Sequence, residues 1–123
     1  MITYNHADYI LEAIQGVLKQ KTKYPIELII SNDCSTDLTD SVIRNIITTY
    51  DGNVEIRYFN QTQNMGMKSN FEWALKKVKG KYIALCDGDD FWINDAKIEN
   101  QVNFLETNTE YSICFHAVEK YDQ

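Results

Sequence analysis

Asp87-Gly88-Asp89-Asp90 sets three carboxylates around one glycine, directly after the apolar run Tyr82-Ile83-Ala84-Leu85-Cys86. Negative charge gathered where a buried strand stops calls for a cation. On an extended backbone the side chains of Asp87 and Asp89 project to the same side, and Gly88 lets a ligand approach the main chain. Mg²⁺ and Mn²⁺ suit such a site. They take oxygen ligands, are held by only one or two protein carboxylates, and fill their remaining positions with water and substrate phosphates. The substrate expected on this reading is a phosphate ester. A solvated acidic loop closing a strand is the alternative that these residues alone leave open.

The elements that would position this motif alternate. Met1–Tyr4 reads as the end of a strand, followed by an amphipathic helix over Asp8–Gln20 with Ile10, Leu11, Ile14, Val17 and Leu18 on one face. After Pro25, Ile26-Glu27-Leu28-Ile29-Ile30 is a nearly continuous apolar run of the kind buried on both faces of a parallel sheet. It stops at Ser31-Asn32-Asp33-Cys34-Ser35-Thr36-Asp37, rich in turn and capping residues, before a helix marked by Leu38, Val42, Ile43, Ile46 and Ile47. Val54–Phe59 reads as a third strand, and Phe71, Ala74, Leu75 and Val78 as a helix closed by Gly80. Beyond the acidic motif, Asp95 is placed to cap a helix carrying Ile98, Val102 and Leu105, and Tyr111–Val118 reads as a last strand.

Alternating strands and helices imply an α/β fold with a mainly parallel sheet. Ligands of such sheets sit outside the carboxyl ends of the strands, where both polar clusters, Asn32–Asp37 and Asp87–Asp90, fall. The two clusters should therefore converge on one crevice.

A chain of 123 residues has room for a single core, so one domain over 1–123 is expected. Its net charge of −6 argues against a nucleic-acid partner, because no Lys/Arg stripe replaces the backbone counterions. A phosphate ligand must arrive with its metal. The apolar runs fall short of the roughly 20 residues that cross a bilayer, and no signal-peptide pattern opens the chain, so a cytoplasmic location is the expectation. Cys34, Cys86 and Cys114 are odd in number and widely spaced, and read as reduced, with Cys86 and Cys114 as small core residues in strands.

Four separated segments carry a resemblance. Thr3-Tyr4-Asn5-His6 ahead of a helix, Asn32 to Asp37 after the second strand, Asn64-Met65-Gly66, and Gly80-Lys81-Tyr82-Ile83-Ala84 running into Asp87-Gly88-Asp89-Asp90-Phe91-Trp92 resemble, in order and spacing, the family 2 glycosyltransferases of the GT-A fold. The resemblance spans essentially the whole chain. Asp33-Cys34-Ser35-Thr36-Asp37 and Tyr111-Ser112-Ile113-Cys114-Phe115-His116 are most similar to bacterial enzymes that build capsular polysaccharide, lipopolysaccharide or related surface glycans.

The resemblance implies a GT-A (Rossmann-like) sheet flanked by helices and a metal-dependent, inverting transfer from a nucleotide diphosphate sugar to a glycan or lipid-linked acceptor. Asp33 matches the position that accepts a hydrogen bond from a pyrimidine ring; an ionised Asp is acceptor-only and suits uracil N3–H, favouring a UDP- or dTDP-sugar. Its carboxylate could instead bond loop amides. Tyr4 matches an aromatic position beside the base, where it could stack or pack in the core. Thr3 and Asn5 could bond the nucleotide or shape the turn. Lys68 lies where the family places polar or basic residues near the donor, and a phosphate contact or a solvated lysine are both open. Asp87 and Asp89 match the D-x-D acids, the first reaching ribose or metal, the second ligating Mn²⁺ or Mg²⁺. Asp90 could assist them or cap the next turn, and Trp92 could wall the sugar or pack under the loop. His6 and His116 show no nucleophile pattern and read as structural or surface groups.

Met1 falls almost inside the first motif, and the general base of inverting members belongs well beyond the acidic motif, so it is expected beyond Gln123. The chain is expected to be the nucleotide-binding half of a transferase domain, truncated at both ends, the full-length enzyme seated peripherally at the inner face of the membrane. Two other classes also fit a D-x-D: a phosphotransferase of the dehalogenase type, whose first Asp is a nucleophile, and a non-catalytic nucleotide- and metal-binding module.

Overall fold

A computed structural model of the chain describes residues 1–120; residues 121–123 of the expected domain lie outside them. Three parallel strands, β1 (Ile2–Thr3), β2 (Glu27–Asn32) and β3 (Glu55–Asn60), form a sheet in the order β1-β2-β3. Helix α1 (Ile10–Leu18) connects β1 to β2, and α2 (Thr39–Thr49) connects β2 to β3. Helices α3 (Met67–Leu75) and α4 (Lys97–Thr107) follow. The α/β class with a parallel sheet is as the alternation of elements implied.

β2 is buried on both faces, which explains its apolar run. Leu28 and Ile30 pack with Ile10, Ile14 and Val17 of α1 and Ile43 and Ile46 of α2 in one core cluster. Burial of such side chains is worth roughly 1.5–3 kcal/mol each. The opposite face meets α3 through a buried polar pair, Ser31 Oγ donating to Asn70 Oδ1 at 2.5 Å while Asn70 Nδ2 donates to the Ser31 carbonyl at 3.0 Å. Glu27, at the start of β2, pins the segment after α3: its Oε1 accepts from the amides of Lys79 and Gly80, and its Oε2 from Arg57 Nη1 of β3. Burial pushes the Glu27 carboxyl up, but these donors together outweigh it and hold it below the usual carboxylate range.

Several local expectations shift. α1 begins at Ile10 rather than Asp8, because the His6 carbonyl takes the amides of Tyr9 and Ile10. Ala13 joins its buried face, whereas Leu11 is exposed. α3 begins at Met67, directly after Gly66 at φ +83°, and ends at Leu75, so Gly80 serves Glu27 rather than a helix terminus. Asp95 pairs with Lys21, and Asn94 instead accepts the Ala96 amide ahead of α4.

Two expected strands do not form among the described residues. Tyr82–Cys86 makes no ladder, and Ile83 and Leu85 are exposed. The cause lies in β1, which is two residues long; one bond survives beside it, from Gly88 N–H to the Ile2 carbonyl at 2.9 Å. An extended segment becomes a strand only where a neighbour supplies backbone partners. Tyr111–Val118 likewise finds no pairing strand, leaving Ile113, Phe115 and Val118 exposed. Cys86 is buried outside any strand and Cys114 half-buried, and all three cysteines are free thiols.

Candidate functional site

Three loops meet at the carboxyl ends of β1 and β2. Residues 4–7 leave β1, residues 33–38 leave β2, and hydrogen bonds join them. Asn5 Oδ1 accepts from the Thr36 amide at 2.8 Å, and the Asn5 amide donates to Ser35 Oγ at 2.9 Å. The Ala7 amide donates to Asp37 Oδ2 at 3.0 Å, and the His6 amide to Thr39 Oγ1 at 2.9 Å. Asn5 and Cys34 adopt left-handed conformations, φ 55° and 60°, at the two loop tips. Burial opposes the charge on Asp37, but donors from Thr39 and Ala7 prevail and lower its pKa.

Asp33 is buried, 2% exposed, and reaches the third loop. Its Oδ1 accepts from the Met65 amide at 2.7 Å and its Oδ2 from the Gly66 amide at 2.9 Å. Asn64 Nδ2 donates to the Asp33 carbonyl at 3.2 Å. The Asn64-Met65-Gly66 motif and the Asp33 motif are thus one structural unit.

The acidic motif comes to the same edge as a turn rather than an extended segment. The Asp90 amide donates to the Asp87 carbonyl at 3.2 Å, closing a turn over Gly88 and Asp89. Asp87 and Asp89 therefore do not share one face of an extended backbone. Asp87 and Asp90 line a cavity of about 370 Å³ with Ile2, Met67, Lys68 and Phe71. Asp89 faces His6, Oδ2 lying 3.8 Å from Nε2. The carboxylates still form one electrostatic cluster: burial, then Asp89 and Asp90, push the Asp87 pKa up.

Gly88 is hemmed in. A Cβ there would lie 2.6 Å from Thr3 Oγ1 and 2.8 Å from His6 Nδ1. Those two atoms are buried and lack a hydrogen-bond partner. Behind the turn, the Cys86 thiol is pushed up to about 12, chiefly by burial, and is a poor nucleophile. Trp92 packs against the core with Lys97 Nζ 4.2 Å above its ring, the packing role rather than a cleft wall.

The topology thus brings Thr3, Asp87, Asp89 and Lys68 to one edge of the sheet. Tyr4 is exposed there, at 43%, and not in the core. Asn5 and Asp33 stand in the loop network. The position of His6 against Asp89 was missed in the sequence; its one signal was adjacency to Thr3-Tyr4-Asn5 at a strand end. Among the described residues no three His, Cys, Asp or Glu side chains close a metal cage. One or two carboxylates open to solvent, beside a cavity carrying a lysine, fit an ion that draws further ligands from a substrate diphosphate.

A parallel sheet flanked by helices, with an acidic turn at its carboxyl edge, is an α/β architecture shared with GT-A glycosyltransferases. The model of glycosyl transferase family 2 matches residues 1–123, and the chain belongs to that family. The chain is similar to the UDP-Glc:alpha-D-GlcNAc-diphosphoundecaprenol beta-1,3-glucosyltransferase WfaP of Escherichia coli, 38% identical over 118 residues, 95% of this chain and 44% of that protein. Among solved structures it resembles Staphylococcus aureus TarS in complex with UDP-GlcNAc, with TM-score 0.74, 25% identity, and coverage of 88% of this chain and 30% of that one. It also resembles the mannosyltransferase PcManGT of Pyrobaculum calidifontis with GDP-Man and Mn²⁺, with TM-score 0.75, 26% identity, and coverage of 85% and 30%. The chain spans less than half the length of these proteins. No helix among the described residues is long and apolar enough to cross a membrane.

Proposed function

We propose that this chain holds the donor of a metal-dependent, inverting glycosyl transfer: a nucleotide diphosphate sugar whose diphosphate sits at the acidic turn. The observation that carries the reading is the placement of Asp87 and Asp90 with Lys68 in one cavity, with Asp89 on the neighbouring turn position. Asp89 and Asp87 would hold Mn²⁺ or Mg²⁺; burial first, then the neighbouring Asp89 and Asp90, raises the Asp87 pKa, and a bound cation would offset the repulsion among these carboxylates. Bound there, a divalent cation supplies charge stabilisation to the departing nucleoside diphosphate.

The chain's own groups bind and orient. Lys68 offers its ammonium to a phosphate oxygen, Tyr4 presents an exposed ring for the base, Asn5 holds the loop after β2 through Ser35 and Thr36, and Thr3 lies under the acidic turn at Gly88. Asp33 holds the 64–66 turn and so frames the base side, where its remaining lone pairs could accept a uracil or thymine N3–H. The acceptor is a glycan or lipid-linked sugar of bacterial surface-polysaccharide synthesis, a reading supported by the naming of WfaP. Its general base belongs to the part of such enzymes that this chain does not match.

Calorimetric titration of UDP into the purified chain, with and without Mn²⁺, tests the reading. Manganese-dependent binding that disappears in Asp89→Ala is expected. A folded chain that binds none of UDP, dTDP or GDP sinks it.

A further inference from the structure

We infer that His6 is a nitrogen ligand of the donor-site cation, binding it through Nε2 together with Asp89. The inference rests on the donor-site reading above and adds to it a protein ligand outside the acidic motif.

The backbone of His6 is fixed at three points. Its amide donates to Thr39 Oγ1 at 2.9 Å, and its carbonyl accepts the amides of Tyr9 at 3.0 Å and Ile10 at 2.9 Å. The ring is fixed as well, because Nδ1 is buried against Gly88, 2.8 Å from where a Cβ would stand. Only Nε2 is left to face the acidic turn, and it lies 3.8 Å from Asp89 Oδ2. That separation is too long for a hydrogen bond and short enough for one cation to touch both atoms.

The buried side of the ring fits the same role. A histidine that ligates through Nε2 carries its proton on Nδ1, and such a proton usually has an acceptor. Thr3 Oγ1, 2% exposed as a residue and without a hydrogen-bond partner, crowds the same point over Gly88. A small shift of either side chain gives Nδ1–H its acceptor. Glycine at 88 is what allows the turn, the imidazole and the hydroxyl to approach so closely.

An imidazole in the coordination shell has a chemical consequence. Nitrogen ligands bind first-row transition ions better than Mg²⁺, which prefers oxygen and gives up water reluctantly. His6 therefore tilts the site toward Mn²⁺ and away from Mg²⁺.

The test is pulsed EPR of Mn²⁺ bound with UDP to the chain carrying ¹⁵N-labelled histidine. A directly coordinated ¹⁵N coupling is expected in the unsubstituted chain and in His116→Gln, and is expected to vanish in His6→Gln. Competition with Mg²⁺ should show the Mn²⁺ preference falling about tenfold in His6→Gln, the scale of losing a support of a metal site. Mn²⁺ bound with oxygen couplings alone overturns the inference and leaves the donor site standing. A folded chain that binds no Mn²⁺ with UDP overturns both. Because the coupling is read first on the unsubstituted chain, a poorly folding variant cannot mask the result.

Discussion

Asp33 and Gly66 stand 33 residues apart, yet the Gly66 amide donates to Asp33 Oδ2 at 2.9 Å, beside the Met65 amide on Oδ1 at 2.7 Å. One buried carboxylate thereby joins the loop after β2 to the turn that starts α3, the helix whose first residues, Met67 and Lys68, line the cavity.

Asp33→Asn should loosen that turn. An amide side chain offers one acceptor where the turn needs two, and turns an N–H₂ toward a backbone N–H. The expected loss is roughly 1–3 kcal/mol, as for a buried donor left unpaired. Urea denaturation measures it, and hydrogen exchange at Met65 and Gly66 should accelerate in the native state. Unchanged protection at both amides would show that Asp33 does not hold this turn.

Gly88→Ala probes the crowding at the acidic turn. The added methyl would meet Thr3 Oγ1 at 2.6 Å, Thr3 Cβ at 2.7 Å and His6 Nδ1 at 2.8 Å, so the turn or its neighbours must move. Overpacking of this kind costs about 1–3 kcal/mol. Because the displaced atoms neighbour Asp89, Mn²⁺ affinity measured by calorimetry should fall as well. Loss of stability with unaltered metal affinity would separate the turn's packing from its proposed role.

Tyr58 predicts a pH dependence. Its hydroxyl donates to Asp40 Oδ1 at 2.6 Å and accepts from Asn32 Nδ2 at 3.0 Å, and burial, followed by the Asp40 bond, pushes its pKa up to about 12. A phenol whose folded pKa is raised contributes stability that is complete below its unfolded value near 10 and is lost as pH rises through about 12. Tyr58→Phe should therefore cost about 1 kcal/mol at neutral pH, the net worth of a hydrogen bond. The difference between the two chains should shrink above pH 10, and tyrosinate absorbance should lose one late-titrating phenol of eight. A difference that does not change with pH would mean that the Asp40 bond is not what is being measured.

Much of the sheet was legible in the sequence because β2 is sandwiched: Leu28, Ile29 and Ile30 all leave water, as a strand covered on both sides permits. The same logic misled at Tyr82–Cys86 and Tyr111–Val118. An apolar pattern reports a wish for burial, but strand structure also needs a neighbouring backbone. The bond that β1 offers here goes to Gly88, past the end of the first segment, and the second segment finds no pairing strand among the described residues.

By itself the sequence determined which chemically capable side chains are present, since residue types are local properties. Asp87 and Asp89 could be singled out on that basis, and Asp33 through the family resemblance. Only the tertiary structure decided which groups meet. It folded the acidic motif into a turn, sending Asp87 toward Lys68 and Asp89 toward His6, and it bonded Asp33 to Met65 and Gly66. Those outcomes depend on contacts across 19 to 83 residues of chain, where the packing of α1, β2 and α3 sets distances that no local pattern encodes.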